Sequence, residues 1–273
     1  GRNALLVQNF TSSTDSYNVA IGYDAGAAVT TGTQNTFIGG LSGDANTTAH
    51  NNTAVGFSAL SANTTGHSNT SLGVNSLGAN TTGASNTSVG FNSGLTVTTG
   101  EFNTIMGAIA GDALTTGNSN VAIGYSALST EDAHGLNVAV GSRALANQNA
   151  GANAENTAVG NDAGLSVTTG INNIFIGSTA GDALTDGDKN VAVGTAALGS
   201  DTRGNFSTAI GHGALNSQNT TNDTDMYNTA VGYLAGVAVT TGVQNTLIGG
   251  LAGDAITTAE SNVAVGYLAL SDT

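Results

Sequence analysis

The chain has 273 residues and a net charge of −14, and it contains 40 Gly but no Pro, Cys or Trp. Its acidic balance argues against nucleic acid or an anionic membrane surface as a partner, because both require clustered Lys and Arg. No apolar run approaches the ~20 residues of a transmembrane helix. A hydrophobic content of 39% argues against disorder.

A five-residue unit, Asn-x-x-apolar-Gly, recurs along the chain from Asn18–Gly22 to Asn262–Gly266. Successive copies are 17 residues apart except for two spacings of 19 and 21, and Ser207 replaces the Asn once. Seventeen residues are too few for a pair of helices and suit one coil of a β-solenoid. The sequence therefore predicts an all-β parallel β-solenoid (β-roll or β-helix) of 17-residue coils, about 15–16 in number.

With the Asn counted as position 1, the coil has four characteristic positions. Position 4 is apolar in all 15 coils, and we predict that positions 2 and 4 face inward together. Gly at position 5 indicates a bend that needs positive φ or close backbone approach. Ala or Ser at position 8 predicts a narrow interior. In the first three coils position 1 is Asn18, Asn35 and Asn52, and position 4 is Ile21, Ile38 and Val55. Position 5 is Gly22, Gly39 and Gly56, and position 8 is Ala25, Ser42 and Ala59.

Two further patterns concern how coils stack. The Asn at position 1 is interpreted either as a ladder, each amide bonding the next coil, or as a residue that favours the turn. Coils with Gly at position 9 mostly carry an aliphatic residue at position 12, as in Gly26 and Val29, whereas coils with Leu there are polar at position 12. We predict one bulky group per coil, which keeps packing density constant. Asn46, beside Gly43, is an exception.

A longer period of four coils overlies the first. The super-repeats span residues 18–85, 86–155 and 156–227, with a partial copy at 228–273, and residues 1–17 match the end of a preceding copy. We therefore expect residues 1–273 to form a single continuous solenoid, either a segment of a longer array or a subunit completed by its neighbours. The longer spacings place extra residues at 147–155 and 217–227, where we expect surface bulges.

Position 6 of several odd coils is aromatic and is a candidate for binding or lateral contact. We predict that these rings face outward, as a stripe suited to sugar stacking or to packing against another rod; rings facing inward would fill the core. The residues are Tyr23, Phe57, Phe91, Tyr125, Tyr233 and Tyr267.

Thr recurs at positions 13 and 14, where a flat outward array would suit an ice-binding solenoid. The array is interrupted at Asp132, Asn149 and Asn219. In the first five coils the Thr residues are Thr30, Thr31, Thr47, Thr48, Thr64, Thr65, Thr81, Thr82, Thr98 and Thr99.

Histidine and aspartate positions give no catalytic or metal-binding pattern. The four His residues lack the spacing of metal ligands or of a nucleophile–base pair, although His50 and His67 fall at related coil positions and are expected on one face. Asp recurs at position 10 of every fourth coil, as Asp44 and its equivalents, and is predicted to form turns. We predict no catalytic residue, no cofactor and no metal, and no enzyme activity.

Three stretches resemble a known family: NTAVGFSAL (Asn52–Leu60), TTGASNTSVG (Thr81–Gly90) and NVAIGYSAL (Asn120–Leu128). They are similar to the head repeats of trimeric autotransporter adhesins and to Gly- and Asn-rich repeats of phage tail-fibre-like proteins. The resemblance covers nearly the whole chain, although the 17-residue coil of this chain is longer than the coil of the adhesin heads. It implies a left-handed parallel β-roll or solenoid and an extracellular, cell-surface or virion location.

These observations predict a non-enzymatic extracellular structural or adhesive fibre. Its expected partner is itself, in a head-to-tail filament or a homotrimer, with a cell-surface glycan or matrix component as a further candidate. Neither nucleic acid nor membrane insertion is expected. The alternatives are an ice-binding solenoid that uses the Thr array and, third, a glycan-binding module of the phage tailspike type.

Overall fold

The computed structural model describes residues 1–11 and 13–271. Over these residues the chain is a parallel β-solenoid of about 15 coils of roughly 17 residues, without helices. The predicted fold class is confirmed. The chain divides into two compact units, Gly1–Gly135 and Leu136–Thr273.

The first unit contains seven three-residue strands: β1 (Val19–Ile21), β2 (Thr36–Ile38), β3 (Thr53–Val55), β4 (Thr70–Leu72), β5 (Thr87–Val89), β6 (Thr104–Met106) and β7 (Val121–Ile123). Each strand pairs in parallel with the next one in sequence. Val19 lies opposite Thr36, and the same 17-residue offset holds from β1 to β7. Equivalent coil positions therefore form straight columns along the sheet.

The second unit has the same parallel order. Its strands are β8 (Val138–Val140), β9 (Thr157–Val159), β10 (Ile174–Ile176), β11 (Val191–Val193), β12 (Gly204–Asn205), β13 (Thr208–Ile210), β14 (Thr224–Asp225), β15 (Thr229–Val231), β16 (Thr246–Ile248) and β17 (Val263–Val265). The longer spacings leave the register intact, since Val138 pairs with Thr157 and Thr208 with Thr229. β12 and β14 form a separate two-stranded sheet, so the insertion at 217–227 adds a strand to the solenoid.

The strand side chains face the opposite way from the prediction. Position 3 is buried in β2 to β11, as in Ala54 at 0% exposure, whereas the side chains at positions 2 and 4 lie on the outside. Ile21 is 58% exposed, and Ile38 and Val55 are half-buried. The prediction that positions 2 and 4 face inward is therefore wrong. Because alternate residues of a strand share a face, a buried Asn at position 1 requires position 3 to face inward as well.

The interior is a narrow space that each coil fills in one of several ways. Ala25, Ser42 and Ala59 at position 8 are fully buried, which confirms the predicted small-residue column. Phe37, a fully buried ring at position 3, lies in the coil that contains Asn46. The prediction of one bulky group per coil is nevertheless wrong for residues 173–189, where Phe175 and Leu184 are both fully buried, so Asn46 has no structural explanation. A Cβ atom added to Gly43 would lie 2.3 Å from Phe37 Cε1, so the ring occupies the space beside this glycine.

Gly at position 5 is required for both of the predicted reasons. The φ angles of Gly22, Gly39 and Gly56 are 144°, 133° and 141°, a region that residues with a Cβ atom rarely adopt. A Cβ atom at Gly56 would also lie 2.4 Å from the carbonyl oxygen of Gly73 in the next coil. These glycines therefore allow consecutive coils to approach backbone to backbone.

The Asn residues at position 1 form a ladder, as one of the two interpretations predicts. The backbone N–H of Asn35 donates to Asn18 Oδ1 at 2.8 Å, and that of Asn52 donates to Asn35 Oδ1 at 3.0 Å. Each side-chain amide also closes its own coil, since Asn35 Nδ2 donates to the Ala49 carbonyl at 2.9 Å and Asn52 Nδ2 to that of Gly66 at 2.9 Å. One buried side chain thus bonds both within a coil and between coils.

Candidate functional site

The outer strand face, made of positions 2 and 4 of the three-residue strands, is the most distinctive surface of each unit. It carries Thr, Val or Ile at position 2 and Ile, Val, Leu or Met at position 4, and no charged residue occurs at either position in any of the 15 coils. Parts of it are exposed in the first unit, where Ile21 is 58%, Leu72 37% and Met106 40% exposed. Since parallel sheets are usually covered on both faces, an outer face of this composition is a candidate interface.

A column of aromatic rings at position 6 follows the outer strand face after the position-5 bend. In the first unit the rings of Tyr23, Phe57, Phe91 and Tyr125 are 54–57% exposed, which confirms their predicted outward placement. Tyr233 and Tyr267 of the second unit are exposed too. Rings two coils apart are separated by twice the ~4.8 Å distance between neighbouring strands. The rings therefore form an evenly spaced row.

The residues between the rings of this row are smaller than an aromatic ring. Position 6 of the intervening coils of the first unit is Gly40, Val74 or Ala108. A Cβ atom at Gly40 would lie 3.5 Å from Phe57 Cδ2, so this ring lies beside the backbone of the preceding coil. In the second unit, Tyr233 instead stacks on His212, with ring centroids 5.6 Å apart.

A short polar residue follows each ring of the first unit at position 7. The four residues are Asp24, Ser58, Asn92 and Ser126, with φ angles of 53–54°. All four are half-buried, and three of them form hydrogen bonds within the chain. Asp24 Oδ1 accepts one from Asn3 Nδ2 at 2.8 Å, Asn92 Oδ1 accepts one from Asn75 Nδ2 at 3.1 Å, and Ser126 Oγ donates one to Ser129 Oγ at 3.0 Å. The row therefore pairs each apolar ring with a neighbouring group that can form hydrogen bonds.

The Thr array has two columns with different roles. At position 13 the hydroxyl groups of Thr47, Thr64 and Thr81 donate to the position-13 carbonyl of the following coil at 3.0–3.1 Å. These side chains are half-buried, whereas their position-14 neighbours, such as Thr65 and Thr99, are exposed. The first column thus joins consecutive coils, and ice binding by this array stays a prediction.

Two of the four histidines lie together, and His134 lies beside an acidic residue. The rings of His50 and His67 stack with centroids 5.1 Å apart, which confirms their predicted common face. His134 Nδ1 lies 3.3 Å from Glu131 Oε1, and Glu131, Asp132 and His134 offer ligand atoms within 4.8 Å of one another. Glu131 Oε1 also accepts the backbone N–H of His134, as Asp201 Oδ1 accepts that of Gly204 in another coil. Glu131 Oε1 therefore closes its turn, whereas Oε2 of this fully buried residue has no hydrogen-bond partner among the described residues.

Burial and ion pairing perturb several carboxyl groups in opposite directions. Desolvation raises the pKa of Asp44, Asp112 and Asp182, which occupy position 10. Desolvation also raises the pKa of the fully buried Asp201, although hydrogen bonds to its carboxylate, above all that from Gln218 Nε2, act to lower it. Hydrogen bonding to Arg203 lowers the pKa of Asp186. These five groups occupy four coils, and the two that share a coil, Asp182 and Asp186, stand at positions 10 and 14.

Comparison with protein-family models, curated proteins and solved structures gives no match. The resemblance to adhesin heads and tail-fibre repeats therefore stays a prediction. Among residues 1–11 and 13–271, no helix is long and apolar enough to cross a membrane.

Sequence reasoning found the ring column but missed the outer strand face, because positions 2 and 4 were assigned to the core. The signal that distinguishes the two sides is the size of position 3. It ranges from Ala20 to Phe37 and varies together with positions 9 and 12, as residues that share one interior must. Positions 2 and 4 vary little in size, which suits a regular outer column.

Proposed function

We propose that this protein is a non-enzymatic, extracellular structural or adhesive fibre that associates with further copies of itself through the outer strand face. The observation that carries the proposal is this face: apolar and hydroxyl side chains in straight columns, without charge, on a chain of net charge −14. Its extracellular location is inferred from the resemblance of its repeats to adhesin heads and tail fibres.

The charge distribution favours a second copy of the chain as the partner of the outer strand face. Acidic residues elsewhere on two approaching chains repel each other, whereas the outer strand faces can meet without like-charge contact. Covering exposed aliphatic groups such as Ile21, Leu72 and Met106 contributes about 25 cal/mol per Å² of apolar surface removed from water. The regular columns also repeat the same contact along the face, so that small gains per coil add up.

The ladders support a mechanical role. In solenoids each coil contacts its neighbours, and stability is approximately a sum of coil and interface contributions. Here the buried Asn ladder and the position-13 Thr ladder each add hydrogen bonds at nearly every coil boundary that they cross. The buried side chains are thereby committed to holding the coils together, while the outer strand face and the rings are free to contact partners.

A charge-insertion experiment tests the proposal. Sedimentation velocity would compare the unmodified chain with a Leu72→Lys/Met106→Lys variant, which places two charges on the outer strand face. The matched control is Thr65→Lys/Thr99→Lys, which adds the same charge at exposed sites of position 14. We expect the unmodified chain and the control to form assemblies larger than the 26.6 kDa chain, and the first variant to be monomeric. Equal masses for all three proteins would contradict the proposal.

A further inference from the structure

The ring column of the first unit has features of a polysaccharide platform. Four exposed rings, Tyr23, Phe57, Phe91 and Tyr125, lie at the same coil position in every second coil of β1 to β7. Their spacing is twice the ~4.8 Å separation of strands. This distance is close to the length of one disaccharide unit in an extended β-1,4-linked chain, in which every second sugar presents the same face. Each ring can therefore meet an equivalent sugar.

The chemistry of each step in the row suits a sugar. The C–H groups on one face of a pyranose ring pack against the electron-rich face of an aromatic ring. The hydroxyl groups at the sugar's edge need hydrogen-bonding partners, and Asp24, Ser58, Asn92 and Ser126 follow the four rings directly. Binding sites of this kind combine apolar contact area with a few polar groups that determine orientation.

Charge restricts the class of polysaccharide. The chain carries 18 Asp and Glu residues against four Lys and Arg, and Arg2 is the only Lys or Arg in the sequence Gly1–Gly135. Asp24 follows the first ring of the row. An anionic polysaccharide would meet repulsion without basic partners along the rings, whereas a neutral polysaccharide would meet none.

From these observations we infer that the ring column of the first unit binds a neutral, extended β-1,4-linked polysaccharide, with one ring for each disaccharide. This inference rests on the proposed adhesive function and names its ligand class. The column lies beyond the position-5 bend, so it is a different set of side chains from the outer strand face that is proposed to contact other copies. The two surfaces can therefore be tested separately.

The test is isothermal titration of the full chain with cellohexaose, a neutral β-1,4-linked probe. Maltohexaose, which is α-linked, and a galacturonic acid hexamer, which is anionic, are the comparison ligands. We expect cellohexaose to bind and both comparison ligands to bind at least roughly tenfold more weakly. Absence of binding to cellohexaose, or equal binding of all three ligands, would overturn the inference.

Variants assign the binding to the rings. Phe57→Ala/Phe91→Ala is expected to weaken cellohexaose binding roughly tenfold or more, because two stacking contacts are lost. Phe57→Tyr/Phe91→Tyr keeps both rings and should retain binding. Phe102→Ala, which removes an exposed ring outside the column, is the matched control and should not affect binding. Equal loss of binding in the control, or retention of binding in the Ala variant, would overturn the assignment.

The mass of each variant in solution separates this inference from the proposed function. An unmodified chain that assembles but does not bind cellohexaose contradicts the polysaccharide inference alone. A chain that binds cellohexaose as a monomer contradicts only self-association. If the Ala variant loses assembly and keeps its sugar binding, the ring column contacts another copy of the chain, and the polysaccharide inference is wrong.

Discussion

Exchanging the bulky side chain between two positions of one coil tests whether the solenoid interior has a constant volume. Phe37 at position 3 is fully buried beside Gly43, whereas one coil later Leu60 at position 9 is buried opposite Ala54. Gly43 and Leu60 have nearly the same φ, 56° and 55°, so the backbone of Gly43 already has the conformation in which a Leu is found one coil later. Phe37→Ala/Gly43→Leu would therefore transplant the packing of one coil into its neighbour.

Each single substitution is expected to lower the free energy of unfolding, and the pair is expected to lower it less than the two single losses together. Phe37→Ala should cost about 3–5 kcal/mol of the free energy of unfolding through the cavity it leaves. Gly43→Leu should cost about 1–3 kcal/mol, because its Cβ would lie 2.3 Å from a Phe37 ring carbon. The double variant conserves the total side-chain volume and should lose clearly less than the sum of the single variants, although the space beside Gly26, where a Cβ would lie 2.8 Å from Phe37 Cδ2, also loses the ring. Its side chains match those of Ala54 and Leu60, and Asn46 already matches the polar Asn63.

Urea unfolding followed by circular dichroism gives the three free-energy differences from the midpoints and slopes. The coupling between the two sites is the difference between the double variant and the sum of the single variants. We expect a stabilising coupling of several kcal/mol, comparable to the cost of the larger single change. A double variant as unstable as the sum of both single variants would refute the constant-volume interior.

Three further predictions concern the ladders, the bend and pH. Asn86→Ala leaves the buried N–H of Asn103 and the buried carbonyl of Gly100 without their partners, and it should lower the free energy of unfolding in urea by about 2–6 kcal/mol. The exposed control Asn118→Ala should lower it by less than about 1 kcal/mol. Equal losses would contradict the ladder. Gly56→Ala should destabilise the protein by several kcal/mol or prevent folding, because its Cβ would meet a backbone carbonyl. The control Gly151→Ala, with no atom within 4 Å of the added Cβ, should cost only about 1–2 kcal/mol. Similar thermal midpoints for the two variants would refute the requirement for Gly at position 5. Burial raises the pKa of Asp201, so the stability that this group contributes is fully present below the pKa of an unfolded Asp, about 3.9, and is lost as pH rises through the folded pKa. The urea midpoint should therefore increase as pH falls from 7 towards about 4, also in 0.5 M salt, which screens surface repulsion; a decrease over this range would contradict the assignment.

The repeat itself made the fold predictable. Seventeen-residue spacing, small residues at position 8 and Gly at position 5 each have one physical explanation in a stack of short coils, and all three hold in the structure. The recurring Asn at position 1 allowed two interpretations, a ladder between coils or a turn residue, because Asn is also common in turns. Its buried position distinguishes the two, because a buried amide needs partners from its own coil and the next.

The inward and outward faces of the strands could not be assigned by hydrophobicity alone. Each strand has three residues, too few for an alternating pattern to be distinguished from its inverse. Position 4 is the most apolar position of the coil, yet residues such as Ile21 lie outside, while Ser71 and Ser88 at position 3 are buried. The hydroxyl groups of Ser71 and Ser88 donate to the carbonyls of Ser76 and Ser93, five residues on, so these hydrogen bonds depend on the bend at position 5. The misassigned face is the one now proposed to contact other copies.

Spin labels on the two surfaces give the most direct test of self-association through the outer strand face. The chain has no Cys, so Leu72→Cys and Thr99→Cys each carry one label, on the outer strand face and on position 14 respectively. We predict that the label at position 72 is immobilised and shows dipolar broadening, which disappears on dilution with unlabelled chain, while the label at position 99 stays mobile. Mobile, unbroadened spectra at both sites at every protein concentration would contradict the proposed interface.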